Sequence, residues 1–120
     1  MISDEGLGKK EHLLKTGDFR QVYKKGVFCK RDSFVLYCLA NKSEQSRIGF
    51  SISSRVVRLA NRRNRIRRLF REVYRKRKKE LKQGFDIVIV GKRDPGKKIG
   101  YPEIEAIFLK LADGTRLRQP

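Results

Sequence analysis

Residues Asn61–Lys79 read NRRNRIRRLFREVYRKRKK, and the fold turns on what is interleaved with the arginines. Ile66, Leu69, Phe70, Val73, Tyr74 and Leu81 recur at helical spacing, and neither glycine nor proline interrupts residues 59–83. At about 100° per residue these side chains gather on one face, so the stretch is a helix with a core side. Gly84 is placed to stop it. From Arg62 to Lys82 there are twelve basic residues against Glu72 and Glu80, a net of +10. A solvated helix face ordinarily mixes signs, because like charges three or four residues apart repel. Here Asn64, Arg67, Arg68, Arg71 and Arg75 line up opposite the core face, and the planar fork of arginine suits phosphates and base edges. A helix lying on a membrane would need its apolar face free for lipid. The strands on either side need that face as core. The pattern points to a nucleic-acid partner.

Working outward, "SFVLYCLA" (Ser33–Ala40) is rich in β-branched and aromatic residues and reads as a strand. "RIGFSIS" (Arg47–Ser53) alternates Ile48, Phe50 and Ile52 with Gly49, Ser51 and Ser53, which predicts a half-buried strand paired with the previous one as a hairpin. After the basic helix, "FDIVIVGKR" (Phe85–Arg93) is the apolar run of a well-covered strand. "KTGDFRQVYKKG" predicts a short first helix, with Thr16 or Asp18 at its start and Gly26 in a left-handed position at its end. Phe19, Val22 and Tyr23 share one of its faces. A last helix opens at Pro102, carries Ile104, Ile107, Phe108 and Leu111, and stops at Gly114. The order αββαβα predicts an α+β, two-layer sandwich: a small mixed sheet covered by helices. The 120 residues form one domain, 1–120, with a basic N-terminal arm over 1–13 and a flexible C-terminal tail over 115–120.

The whole chain carries 31 Lys and Arg against 13 Asp and Glu, a net charge of +18 that opposes folding until a polyanion neutralises it. No run approaches a membrane span, and "MISDEGLGKK" lacks the apolar region of a signal peptide. Cys29 and Cys38 lack a C-x-x-C spacing, and Cys38 reads as a small buried hydrophobe. One histidine, His12, leaves no zinc set and no triad. Asp18, Asp32 and Asp86 are scattered single acids, so no catalytic residue is expected and the chain reads as a binding subunit.

"RRNRIRRLFRE" resembles the arginine-rich RNR signature of the bacterial ribonuclease P protein component. "DFRQVYKKG", "FVLYCLA", "RIGFSIS", "FDIVIVGKR" and "YPEIEA" follow the family order, from roughly Leu14 to Leu111. The resemblance implies a fold like the second domain of ribosomal protein S5, with a left-handed crossover through the RNR helix where right-handed crossovers are the rule. It implies a cytoplasmic subunit of ribonuclease P, bound to a catalytic RNA that carries the active site and the Mg2+ ions. The complex removes the 5′ leader of precursor tRNA; no membrane and no obligate protein partner are implied. In the RNR helix the resemblance assigns RNA contacts to Arg62, Arg63, Asn64, Arg65, Arg67, Arg68 and Arg71. It assigns a leader-binding cleft, between the first helix, the sheet and the RNR helix, to Phe19, Tyr23, Val35, Tyr37 and Ser51. The turn before the triplet departs from the family pattern: "SSRVVRLANRRNR" lacks a glycine and reads one residue longer. A ribosomal or translation-factor-like RNA-binding domain is the rival reading, and would need no aromatic cleft. A major-groove DNA reader is a third, without the dimerisation heptads such proteins use.

Overall fold

Side-chain alternation along the strands sorts the molecule into layers. Phe34, Leu36 and Cys38 of one strand join the main core, while Val35, Tyr37 and Leu39, one residue out of step, point the other way. The computed structural model describes residues 15–119. In chain order the elements are α1 (Thr16–Lys25), β1 (Val27–Arg31), β2 (Phe34–Ala40), β3 (Arg47–Ser51), α2 (Ala60–Arg77), β4 (Phe85–Gly91) and α3 (Tyr101–Gly114). The N-terminal arm and His12 lie outside the described residues.

The α+β class with helices over a small mixed sheet holds, with one strand more than expected. β1 was hidden in "VFCKR", whose alternation is blurred by its exposed position at the sheet edge. The strand order is β1-β2-β4-β3. The expected hairpin between Ser33–Ala40 and Arg47–Ser53 is therefore not formed. β2 pairs antiparallel with β1 across the Asp32–Ser33 turn, and its other edge takes β4, with Tyr37 opposite Val88. β3 pairs parallel with β4, Ile48 opposite Ile87, so α2 is the crossover between them. The apolar run of β4 explains the arrangement: as a central strand it needs cover on both faces, and Ile87, Val88 and Ile89 are fully buried.

α2 and α3 cover the face of Phe34, Leu36, Ile48, Ile87 and Ile89. Ile66, Phe70, Val73 and Tyr74 supply the buried stripe of α2, as their spacing requires. Phe70 is the hub, with its ring 4.9 Å from Phe34 and 6.4 Å from Phe108 between centroids. α1 lies on the opposite face, where Val22 packs on Val88 with Phe19, Tyr37, Leu39 and Val90 around them. Its placement is fixed by Asp86, a buried carboxylate that accepts two hydrogen bonds from Arg47, at 2.8 and 2.7 Å, and one from Asn41 at 2.9 Å. The same Arg47 reaches Asp18 of α1 at 3.4 Å.

Four expectations are corrected. Neither Thr16 nor Asp18 caps α1, because the Asp18 carboxylate is turned to Arg47. Gly26 is not left-handed: its φ is −79°, and glycine is needed because a Cβ would stand 2.6 Å from the Val22 carbonyl oxygen and 2.7 Å from that of Cys38. α2 ends at Arg77, before Gly84, since residues 78–80 tighten into a 3-10 turn that drops Leu81 into the core. The tail expected to be free is packed from Thr115 to Leu117. Leu117 is fully buried, Lys82 N–H donates to its carbonyl at 2.8 Å, and Gln119 N–H donates to Glu80 at 2.7 Å. Both cysteines are free thiols.

Candidate nucleic-acid interface

The arginines of α2 divide by what the fold gives them. Toward the C-terminal end acids neutralise them: Arg75 pairs with Glu72 at 2.7 Å, and Arg77 with Glu80 at 2.8 Å and Glu105 at 3.1 Å. At the start, Arg62 forms a bidentate pair with Asp94, which raises the Arg62 pKa and lowers that of Asp94, in each case mainly through their hydrogen bonds. Arg63 donates to the carbonyls of Val57 and Arg58, and Arg65 to that of Ile99. These bonds make the glycine-free turn before the triplet workable. Val57 is buried in the core while Arg63 ties up the carbonyls that follow it.

Between these ends the helix keeps its charge. Among the described residues Arg63, Arg65, Arg67, Arg68 and Arg71 have no acidic partner. Arg68 and Asn64 are exposed, while Arg67 is half-buried and donates to Asn64 Oδ1 at 2.7 Å. Burial, and then the charges of Arg63 and Arg71, push the Arg67 pKa down. Arg71 lies over the Phe50 ring, 5.2 Å from its centroid, with a buried Nε that has no hydrogen-bond partner. A row of crowded guanidinium groups held against a packed helix favours any anion that can enter it.

The second surface is the open side of the sheet. Phe19 and Tyr23 stand one turn apart on α1 with centroids 6.4 Å apart, Tyr23 meets Tyr37 edge-on at 5.1 Å, and Tyr37 meets Phe28 at 5.5 Å. Phe28 is 63% exposed and Tyr23 40% exposed, so these two rings are open to solvent, while Phe19 and Tyr37 are half-buried between them and the sheet. Val35 and Ser51 lie on the same face, both in register with Val90, but Val35 is buried and Ser51 is exposed on edge strand β3. Phe28 was missed in the sequence; recognising "VFCKR" as a strand would have placed it beside Tyr37.

α2 and the aromatic string do not form one wall, as the expected cleft required. They occupy opposite faces, because α2 seals the core side of β2 and β4 whereas α1 and the rings use the other. No group of three or more His, Cys, Asp or Glu is placed to hold a metal ion among the described residues. No helix among them is long and apolar enough to cross a membrane.

Fold and surfaces together define a small, highly basic α+β protein with a polycationic crossover helix on one side of its sheet and bare aromatic rings on the other. The ribonuclease P family model matches residues 7–114. The chain is similar to the ribonuclease P protein component of Clostridioides difficile, at 46% identity over 104 residues, covering 86% of this chain and 90% of that one. It is 37% identical to that of Alkaliphilus oremlandii, over 82% of this chain and 85% of the relative. The Staphylococcus aureus RNase P protein superposes with a TM-score of 0.80 at 27% identity, over 91% of this chain and 98% of that one. The Thermotoga maritima protein gives 0.75 at 26% identity, over 83% and 93%. The chain belongs to the ribonuclease P protein component family.

Proposed function

We propose that the chain acts in the cytoplasm as the protein subunit of ribonuclease P, with two RNA-facing surfaces on opposite sides of its sheet. Asn64, Arg65, Arg67, Arg68 and Arg71 bind the catalytic RNA, which holds the active site and its Mg2+ ions. The leader of precursor tRNA crosses Phe19, Tyr23, Tyr37 and Phe28. The observation that carries this is the string of four rings, with Tyr23 and Phe28 open to solvent, on an otherwise basic protein. Every base has a π-face and every linkage a charge, so stacking rings grip a single strand whatever its sequence. Leaders differ in sequence, so such tolerance suits them.

The chain's contribution to cleavage is binding. Each cation placed on a phosphate releases condensed counterions, so the RNA folds and holds substrate with fewer free cations. The test adds the protein to a bacterial ribonuclease P RNA at low magnesium and follows cleavage of precursor tRNA. Protein alone should cleave nothing, whereas the pair should cleave at magnesium concentrations where the RNA alone is idle. Failure to lower the magnesium requirement, or robust cleavage by RNA-free protein, overturns the reading.

A further inference from the structure

A second cationic surface is built where the β1–β2 turn meets the end of β4 and α3. Lys30 and Arg31 at the end of β1, Arg93 just after β4, and Lys110 on α3 surround an open basin of about 750 Å³, with Asp32 as the one acid of its lining. Three separate stretches of chain supply these cations, and bonds to the β1–β2 turn hold the segment of Arg93 in place. Lys92 and Arg93 N–H groups donate to Ser33 O at 2.8 and 3.4 Å, and Arg93 Nη2 donates to Asp32 O at 3.3 Å. The turn itself uses a left-handed residue, Asp32, at φ 53°.

Arg47, Arg62, Arg75, Arg77 and Arg118 each find a carboxylate within the fold. Lys30, Arg31, Arg93 and Lys110 are all exposed and have no ion-pair partner among the described residues. Four cations converging on one basin with a single acid among them repel one another unless an anion enters. No aromatic residue lines the basin, so it offers charge without stacking. It also continues a surface already described. Lys30 stands on the same face of β1 as Phe28, two residue pairs further along the hairpin, opposite Val35 as Phe28 is opposite Tyr37. On its other side Arg93 precedes Asp94, the partner of Arg62.

We propose that this basin is a further binding site for RNA phosphodiester backbone, formed by Lys30, Arg31, Arg93 and Lys110 and distinct from both the α2 row and the aromatic string. The proposal rests on the reading that the chain binds RNA. Two sources can supply such a backbone: the part of a leader that runs past Phe28, or the catalytic RNA.

The test is the double variant Arg31→Gln/Lys110→Gln, with Lys110→Gln alone as a second variant and a thermal melt of each. Both side chains are exposed, so the melting temperature should hold. Affinities are measured against salt for the catalytic RNA alone, and, in the reconstituted complex, for precursor tRNA with a long leader and with a leader only long enough to cross the rings. Two lost phosphate contacts should flatten the log–log salt slope by roughly 1.4–1.8, and weaken binding roughly 10- to 30-fold at 0.15 M salt. The single variant should show about half that slope change. A loss confined to the long leader assigns the basin to the leader; a loss for the catalytic RNA alone assigns it there; either supports the site. Unchanged affinity and slope for every RNA overturn it, provided Arg68→Gln weakens the catalytic RNA in parallel. If Arg68→Gln is also silent, the RNA-binding reading of α2 falls as well.

Discussion

Phe28→Ala separates stacking from packing. The ring is 63% exposed and touches the string only through Tyr37, at 5.5 Å, so its removal opens no core cavity. A cross-strand aromatic pair of this kind contributes under about 1 kcal/mol, and the melting temperature should fall by no more than a few degrees. If a leader base stacks there, the lost binding is about 1–3 kcal/mol, or roughly 5- to 150-fold in affinity. Tyr23→Ala should behave alike, since that ring is also open. Phe19→Ala should differ, because Phe19 packs in the cluster of Val22 and Val88, and its loss should cost stability as well as affinity. The assay compares precursor and mature tRNA bound to the reconstituted complex, with melts of each variant. A fall for precursor alone is expected from Phe28→Ala. If precursor and mature tRNA weaken together, or precursor affinity stays within twofold, the rings do not hold the leader.

Other perturbations test the remaining assignments. Arg68→Ala should flatten the salt dependence of catalytic-RNA binding by up to about 1 in log–log slope without changing the melting temperature; titrations at several salt concentrations read both. Gly114→Ala should destabilise by about 1–3 kcal/mol, despite the higher helix propensity of alanine, because its Cβ would meet Cys29 Sγ at an impossible distance. Cys29→Ala should recover part of that loss in a double-mutant cycle by denaturant unfolding. Leu117→Ala should cost about 2–5 kcal/mol in the same assay, since the side chain is fully buried beside Leu81 in the core. A free tail would show no change.

Elements with a strong period were legible in the sequence. The stripe of Ile66, Phe70, Val73 and Tyr74, the stripe of Ile104, Ile107, Phe108 and Leu111, and the apolar run of β4 all appear where the spacing put them. Pairing was not legible. β2 and β3 are neighbours in sequence, which favours a hairpin, yet the sheet places β4 between them because β4, apolar on both faces, takes an interior position beside β2 and leaves the half-polar β3 at the edge. β1 escaped notice because an exposed edge strand buries too little to impose alternation. Leu117 carried no signal, since one leucine among polar residues defines no period. In the candidate site, Phe19, Tyr23 and Tyr37 stand together in space, but the sheet face that separates them from α2 depends on the register of β2. The intramolecular roles of Arg62, Arg63 and Arg65 depend on loop carbonyls and on Asp94, which lies far along the chain.

The strand order also sets a schedule for assembly. The β1–β2 hairpin closes through contacts a few residues apart and can form early. β3 has no partner other than β4, so it stays unpaired until α2 has been traversed and β4 has slid between two strands laid down long before it. Every hydrogen bond that joins the two halves of the sheet is therefore a long-range one, the class whose loop-closure entropy slows folding. Seating the basic helix and completing the sheet become a single event, and the aromatic face of Tyr37 gains its backing from Val88 only when that event is over.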